Sequence, residues 1–169
     1  TSKGELYTGK KDAAHSIWLM PGAWGNNTAK IRRDITSPVR TDEFPVEAAR
    51  GLYVGPATVD TVMNVIYNQK LRKNTDYNYS CLNFCLLMDM EQRLTGQHHD
   101  VWVRDSIYAP LGAKFIGYQP YRHHDLGQVA PTENDTFMRR QILRGYVHDE
   151  TAAMQGGVSG NAGRFSNAG

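Results

Sequence analysis

Three clusters in this 169-residue chain carry side chains able to move a proton or hold a substrate. The first is Tyr79-Ser80-Cys81, set directly before the apolar run Leu82-Asn83-Phe84-Cys85-Leu86-Leu87. A phenol at such a place shuttles protons only beside a cation, because its free pKa is about 10 and a neighbouring ammonium lowers it. The second cluster is His148-Asp149-Glu150, three titratable groups ahead of a glycine-rich stretch. It could bind a cation or a substrate amine; the plainer reading is that Asp149 or Glu150 caps the next turn. The third is Gly156-Gly157-Val158-Ser159-Gly160-Asn161, which approaches the G-x-S-x-G nucleophile elbow and misses it. Asn161 stands where the last glycine belongs, and no strand pattern precedes. No Gly-Lys-Ser/Thr follows, so it is not a phosphate loop either. A tight turn packed under a neighbouring element is the expectation for Ser159.

A hydroxyl nucleophile needs a base within reach. One turn of helix in Ser-x-x-Lys brings an amine to a serine. None of Ser2, Ser16, Ser37, Ser80, Ser106, Ser159 or Ser166 has Lys three positions later. Ser37 has Arg40 there, and a guanidinium does not give up its proton. A Ser-His-Asp triad built on His148 has no local motif behind it. Cys81 and Cys85 are one helical turn apart, a poor geometry for a disulfide, and read as small buried hydrophobes. No His or Asp stands at helical spacing to join them, so neither a metal nor a cofactor is expected.

Helical periodicity begins after Ala57. Val59, Val62, Met63, Ile66 and Tyr67 share one face, with Thr58 as the expected N-cap. A second helix follows Ser80, its expected N-cap, is apolar over a wide arc, and stops at Gly96. That arc predicts a mostly buried helix. Residues 98–113 predict a third, buried through Val101 or Trp102, Val103, Ile107 and Tyr108. Residues 131–145 predict a short fourth, capped by Thr132 or Asn134. The glycine-rich tail from Gly156 reads as loop. Residues 1–50, with Pro21-Gly22, Pro38 and Pro45, read as irregular or as a β-ribbon.

Net charge is +2 and Lys and Arg are scattered, which excludes a nucleic-acid surface. His98-His99, His123-His124 and Arg139-Arg140 read as solvated surface. No segment approaches the ~18 apolar residues of a membrane span.

Tyr79-Ser80-Cys81-Leu82-Asn83-Phe84, the Arg93-Leu94-Thr95-Gly96 helix end and Ile107-Tyr108-Ala109-Pro110-Leu111-Gly112 follow one another in an order that resembles the serine hydrolases of the class C β-lactamase and penicillin-binding-protein superfamily. Val129-Ala130-Pro131-Thr132-Glu133, Gly145-Tyr146-Val147-His148-Asp149-Glu150 and Gly156 through Ser166 resemble one branch of it. The resemblance covers residues 51–169.

The resemblance implies that this chain is mainly α, the helical subdomain of an otherwise α/β hydrolase, with residues 1–50 as an insertion. It implies a nucleophilic Ser-x-x-Lys helix before Thr1 and a Lys/His-x-Gly strand after Gly169. Tyr79 would then be general base and acid, with Cys81, His148, Asp149 and Glu150 on the substrate side. The expected partners are the remainder of the hydrolase domain and a cell-wall peptide, ester or β-lactam, in the periplasm or elsewhere outside the cytoplasm. Members of the branch are sometimes fused to a family 3 glycoside hydrolase. The chain departs from the pattern at Cys81, usually Asn or Asp, and at Asn161 and Arg164, often His and Leu. Cys81 is a weak hydrogen-bonder, which argues against β-lactam turnover and suits an esterase, a peptidase or a pseudoenzyme. The alternative is a non-catalytic helical module that holds glycan or peptide through Tyr7, Trp18 and Trp24.

Overall fold

The computed structural model describes residues 7–8, 16–20, 23–26, 30–70, 73, 76–77 and 79–167, with side chains from residue 30 onward. Short antiparallel strand pairs alternate with helices. β1 (Tyr7–Thr8) pairs with β4 (Lys30–Ile31), and β2 (Ser16–Met20) forms a ribbon with β3 (Ala23–Asn26), Trp18 opposite Trp24. The side chains of Tyr7, Trp18 and Trp24 lie outside the described residues. β5 (Thr36–Ser37), β6 (Val46–Ala49) and β7 (Leu52–Val54) make a three-stranded sheet with β7 in the middle.

The helices follow. α1 is Pro56–Tyr67, α2 Leu82–Thr95 and α3 His99–Val103, continued as π-helix over Arg104–Tyr108. β8 (Gly117–Tyr118) pairs with the distant β11 (Arg164–Phe165). β9 (Pro131–Asp135) and β10 (Gln141–Arg144) form a hairpin, and α4 (Glu150–Met154) precedes the glycine-rich loop. The main core joins Ala48 and Val54 of the sheet to Val62 and Ile66 of α1, Cys85 of α2, Val147, and Ala152, Ala153 and Met154 of α4. No helix among the described residues is long and apolar enough to cross a membrane.

This is a small α/β domain, and the expectation of a mainly α subdomain is wrong. The decisive segment is 131–145, which pairs as a hairpin instead of coiling into a helix. The Asp135 carboxylate accepts from the backbone N–H groups of Phe137, Met138 and Arg139, at 2.8, 2.8 and 3.0 Å. Those bonds close a turn where a helix would have begun. The strands run two to five residues, too short to impress a two-residue period on the sequence.

The helix ends differ in detail. α1 begins at Pro56, whose fixed φ suits a first turn, and Thr58 is buried inside that turn. Ser80 sits two residues before α2 and its Oγ accepts from the Leu82 N–H at 3.2 Å. Gly96 ends α2 at φ 67°, returning its N–H to the Gln92 carbonyl. α2 is not mostly buried: Cys85 and Met88 are, while Phe84, Leu87, Met90 and Leu94 are exposed. Past α3 the bonds run Ala109 N–H to Arg104 O and Ala113 N–H to Tyr108 O. This five-residue step buries Tyr108 and turns Ile107 outward, against the expectation that both face inward.

Candidate functional site

A cleft of about 480 Å³ opens where five separate segments meet. Tyr79 and Cys81 form one lip, ahead of α2. Val147, His148 and Asp149 form the facing wall with Thr132 of β9, and the loop Ser159–Phe165 forms the floor, backed by Tyr118 of β8. Four of the five expected site residues therefore converge: Tyr79, Cys81, His148 and Asp149. Glu150 does not line the cleft; it opens α4, where burial pushes its carboxyl up.

Each wall has its own support. The His148 segment hangs from Arg139, whose side chain is 0% exposed. That guanidinium bonds the Asp135 carboxylate and donates to the carbonyls of Val147 (2.6 Å) and His148. Burial alone would raise the Asp135 carboxyl; the Arg139 side chain and the backbone N–H groups of Arg139 and Phe137 outweigh it and hold the group below the usual carboxylate range. Arg139 is thus buried, against the expectation of solvated surface. Asp149 caps α4, accepting from the Ala152 N–H at 2.7 Å, as the plainer reading of that cluster has it.

The floor is a glycine loop folded hard against its neighbours. A Cβ on Gly160 would stand 2.1 Å from the Phe84 carbonyl oxygen of α2, and one on Gly163, at φ 104°, would stand 2.2 Å from the Gly157 oxygen. Only glycine lets the two backbones approach this closely. Ser159 is 1% exposed, and its hydroxyl donates to Asn161 Oδ1 at 2.7 Å. The Cys85 thiol of α2 reaches the same Oδ1 at 3.4 Å. Ser159 packs as a tight turn beneath α2, and among the described residues no serine hydroxyl is hydrogen-bonded to a histidine or lysine.

The Tyr79 lip contrasts with this. Its ring is 70% exposed, and its hydroxyl accepts from the Cys81 thiol at 3.5 Å. That hydrogen bond, together with the charge the thiol can acquire, pushes the phenol above its ordinary value.

Sequence reasoning missed Tyr118 and the side chains behind it. His99 bonds Glu91 through Nδ1 and faces the Tyr118 hydroxyl from Nε2 at 3.1 Å, and that hydroxyl lies 3.4 Å from the Ser159 carbonyl. His99 and Glu91 are largely covered, so the expectation of a solvated histidine pair fails for His99. Their spacing along α2 and α3 carried no motif. Cys85 is a small buried hydrophobe as expected; Cys81 is only partly covered, and both are free. Among the described residues no group of three potential ligands gathers as a metal site.

Curated proteins match part of the chain. An Escherichia coli (strain K12) protein named D-alanyl-D-alanine carboxypeptidase is 38% identical over 103 residues, covering 54% of this chain and 24% of that protein. A Bacillus subtilis (strain 168) protein named N-acetylmuramyl-L-alanine amidase is 33% identical over 106 residues, 56% of this chain and 24% of that protein. A Salmonella schwarzengrund protein, also named D-alanyl-D-alanine carboxypeptidase, is 34% identical over 100 residues. The matched region spans about a quarter of each relative's length. No family model matches the chain, and no solved structure does.

Proposed function

We propose that this chain supplies one side of the catalytic cleft of a serine hydrolase resembling the class C β-lactamases and penicillin-binding proteins. Residues 51–169 carry that role, with residues 1–50 as an insertion. The substrates are D-amino-acid peptides, esters or related cell-wall fragments, met outside the cytoplasm. The observation that carries this reading is the convergence of Tyr79, Cys81, His148 and Asp149, which span 71 positions of sequence, on one open cleft. The names of the matched relatives, a carboxypeptidase and an amidase, point to the same substrate class.

In this reading Tyr79 takes the proton of an acylating serine and returns it to the leaving group. That role needs a phenol pKa pulled down toward neutrality, and an ammonium beside it does so. The described neighbour Cys81 does the opposite, and in this reading the lowering cation is the lysine of a Ser-x-x-Lys helix supplied by a partner segment. His148, Asp149 and the loop at Ser159 shape the substrate side of the cleft. Asp149 is engaged with the α4 N-terminus, which leaves its outer edge for a substrate amine.

The test is acyl transfer with nitrocefin and p-nitrophenyl acetate. This chain alone is expected to turn over neither. Joined to a Ser-x-x-Lys segment, acylation appears, and Tyr79→Phe slows it by about 10²–10⁴-fold. Turnover by this chain alone that Tyr79→Phe abolishes contradicts the reading.

A further inference from the structure

A hydrogen-bonded chain runs behind the cleft from α2 to the cleft floor. It starts at the Glu91 carboxylate, whose Oε2 lies 2.5 Å from His99 Nδ1. His99 Nε2 lies 3.1 Å from the Tyr118 hydroxyl, which reaches the Ser159 carbonyl at 3.4 Å. The links are held in place from outside. The His99 backbone N–H donates to the Gln92 side-chain oxygen at 3.0 Å, and Tyr118 is paired through its backbone with Arg164 of β11. The two rings meet edge to face, their centroids 5.6 Å apart. The His99 and Glu91 side chains are 16% and 18% exposed and Ser159 is buried, so water has little access to the chain.

Both ends of this chain only accept, because neither a carbonyl nor a carboxylate carries a proton. Three links between two such ends need three protons: on Nδ1, on Nε2 and on the Tyr118 oxygen. The same three are needed if the first sits on Glu91 instead. With one proton fewer, one link has no hydrogen. The 3.4 Å link is the longest and is the one that goes: Tyr118 turns its proton to Nε2 and drops the Ser159 carbonyl. An imidazole is the group on such a chain able to change the count near neutral pH. The phenol keeps its proton there, since burial pushes Tyr118 up, with Tyr108, Asp100 and Glu91 adding to that against Arg164. Among the described residues, the charged and titratable groups around the His99 ring are Glu91 from α2, Tyr118 from β8, and His98 and Asp100 beside it in sequence, paired with each other at 2.5 Å. Arg122, on the turn after β8, acts on His98.

We propose that Glu91, His99 and Tyr118 are positioning residues that latch the cleft floor with one proton: its uptake by the His99–Glu91 pair turns the Tyr118 hydroxyl onto the Ser159 carbonyl, and its loss turns that hydroxyl back to the imidazole and loosens the Ser159–Phe165 loop. The floor is therefore tied more firmly in acid than in base. The latch rests on the geometry behind the cleft and not on the chemistry proposed for Tyr79.

The experiment is an NMR titration of the intact, isotope-labelled chain over about pH 5–9. It reads the His99 ring nitrogens, the Ser159 carbonyl carbon and the Gly160 amide together, for wild type, Tyr118→Phe, His99→Gln and His98→Gln. In wild type the Ser159 and Gly160 signals are expected to move with the same midpoint as the His99 ring. That movement is lost in Tyr118→Phe, although His99 still titrates, lost in His99→Gln and kept in His98→Gln. The amide spectrum shows whether each variant has folded, and the wild-type midpoints decide the matter even where one has not. Floor signals that stay still while His99 titrates, that keep moving in Tyr118→Phe or that follow His98 overturn the latch. A His99 ring that keeps one charge state across the whole range overturns it as well.

Discussion

The two sides of the cleft are built to different standards. The inner side, with the β9–β10 turn, the His148 segment and the glycine loop, is held by a buried ion pair, backbone-to-backbone contact and a Ser159–Asn161–Cys85 network. The outer side is Tyr79, mostly exposed, its hydroxyl accepting from the weak Cys81 thiol donor. Exposed apolar residues continue along α2 beside it. The difference teaches which half is self-sufficient. The inner wall is positioned by its own chain, whereas the lip carries a side chain whose proposed chemistry needs a cation beside it.

The largest expected effect attacks the inner wall. Arg139→Ala leaves the Asp135 carboxylate buried without its partner and frees the Val147 and His148 carbonyls. Denaturant unfolding should show a loss of about 3–5 kcal/mol, and the double variant Arg139→Met, Asp135→Leu should recover part of it. Gly160→Ala forces α2 away from the loop and should cost about 1–3 kcal/mol. Ser159→Ala removes the hydrogen bond to Asn161 and the contact with the Cys85 thiol, for about 1 kcal/mol. At the other extreme, Asp89→Asn breaks the α2 surface pair with Arg93 and should shift stability by less than about 0.5 kcal/mol. Equal losses from Arg139→Ala and Asp89→Asn would erase the contrast.

A pH series sharpens it further. The Asp135 carboxyl is held low in the folded state, so its stabilising share is present above the unfolded value near 3.9 and is lost as pH falls through the folded value. Glu150 runs the other way. Burial raises its folded pKa, so its ionised form costs stability once pH exceeds the ordinary glutamate value of about 4.3. Glu150→Gln should therefore raise the unfolding midpoint at neutral pH and lose that advantage in acid.

The site was more legible in the sequence than the fold. Tyr79, His148 and Asp149 carry reactive groups in distinctive local order, and that order survives folding. The helices at 56–67 and 82–95 were legible from apolar spacing. The hairpin at 131–144 was not, because what closes it is the Asp135 carboxylate reaching three successive N–H groups, a contact with no periodic signature. Arg139 looked solvated because a guanidinium is read as surface until its partners are known. The exposed arc of α2 looked buried because composition reports apolarity and not what covers it. Asn161 and Arg164 were visible only as departures from a pattern; their convergence on one cleft came from the β8–β11 pairing.

The central claim is that Tyr79 lines an open cleft and that its described neighbour Cys81 raises the phenol where base chemistry needs it lowered. An NMR titration of the tyrosine Cζ resonances, with Tyr79 assigned by comparison with Tyr79→Phe, measures this directly. The account predicts a Tyr79 midpoint above the ordinary phenol value of about 10, falling when Cys81→Ala removes the neighbouring thiol. A midpoint below about 9 in the unaltered chain would mean that an ammonium or guanidinium already serves that hydroxyl, and would contradict it.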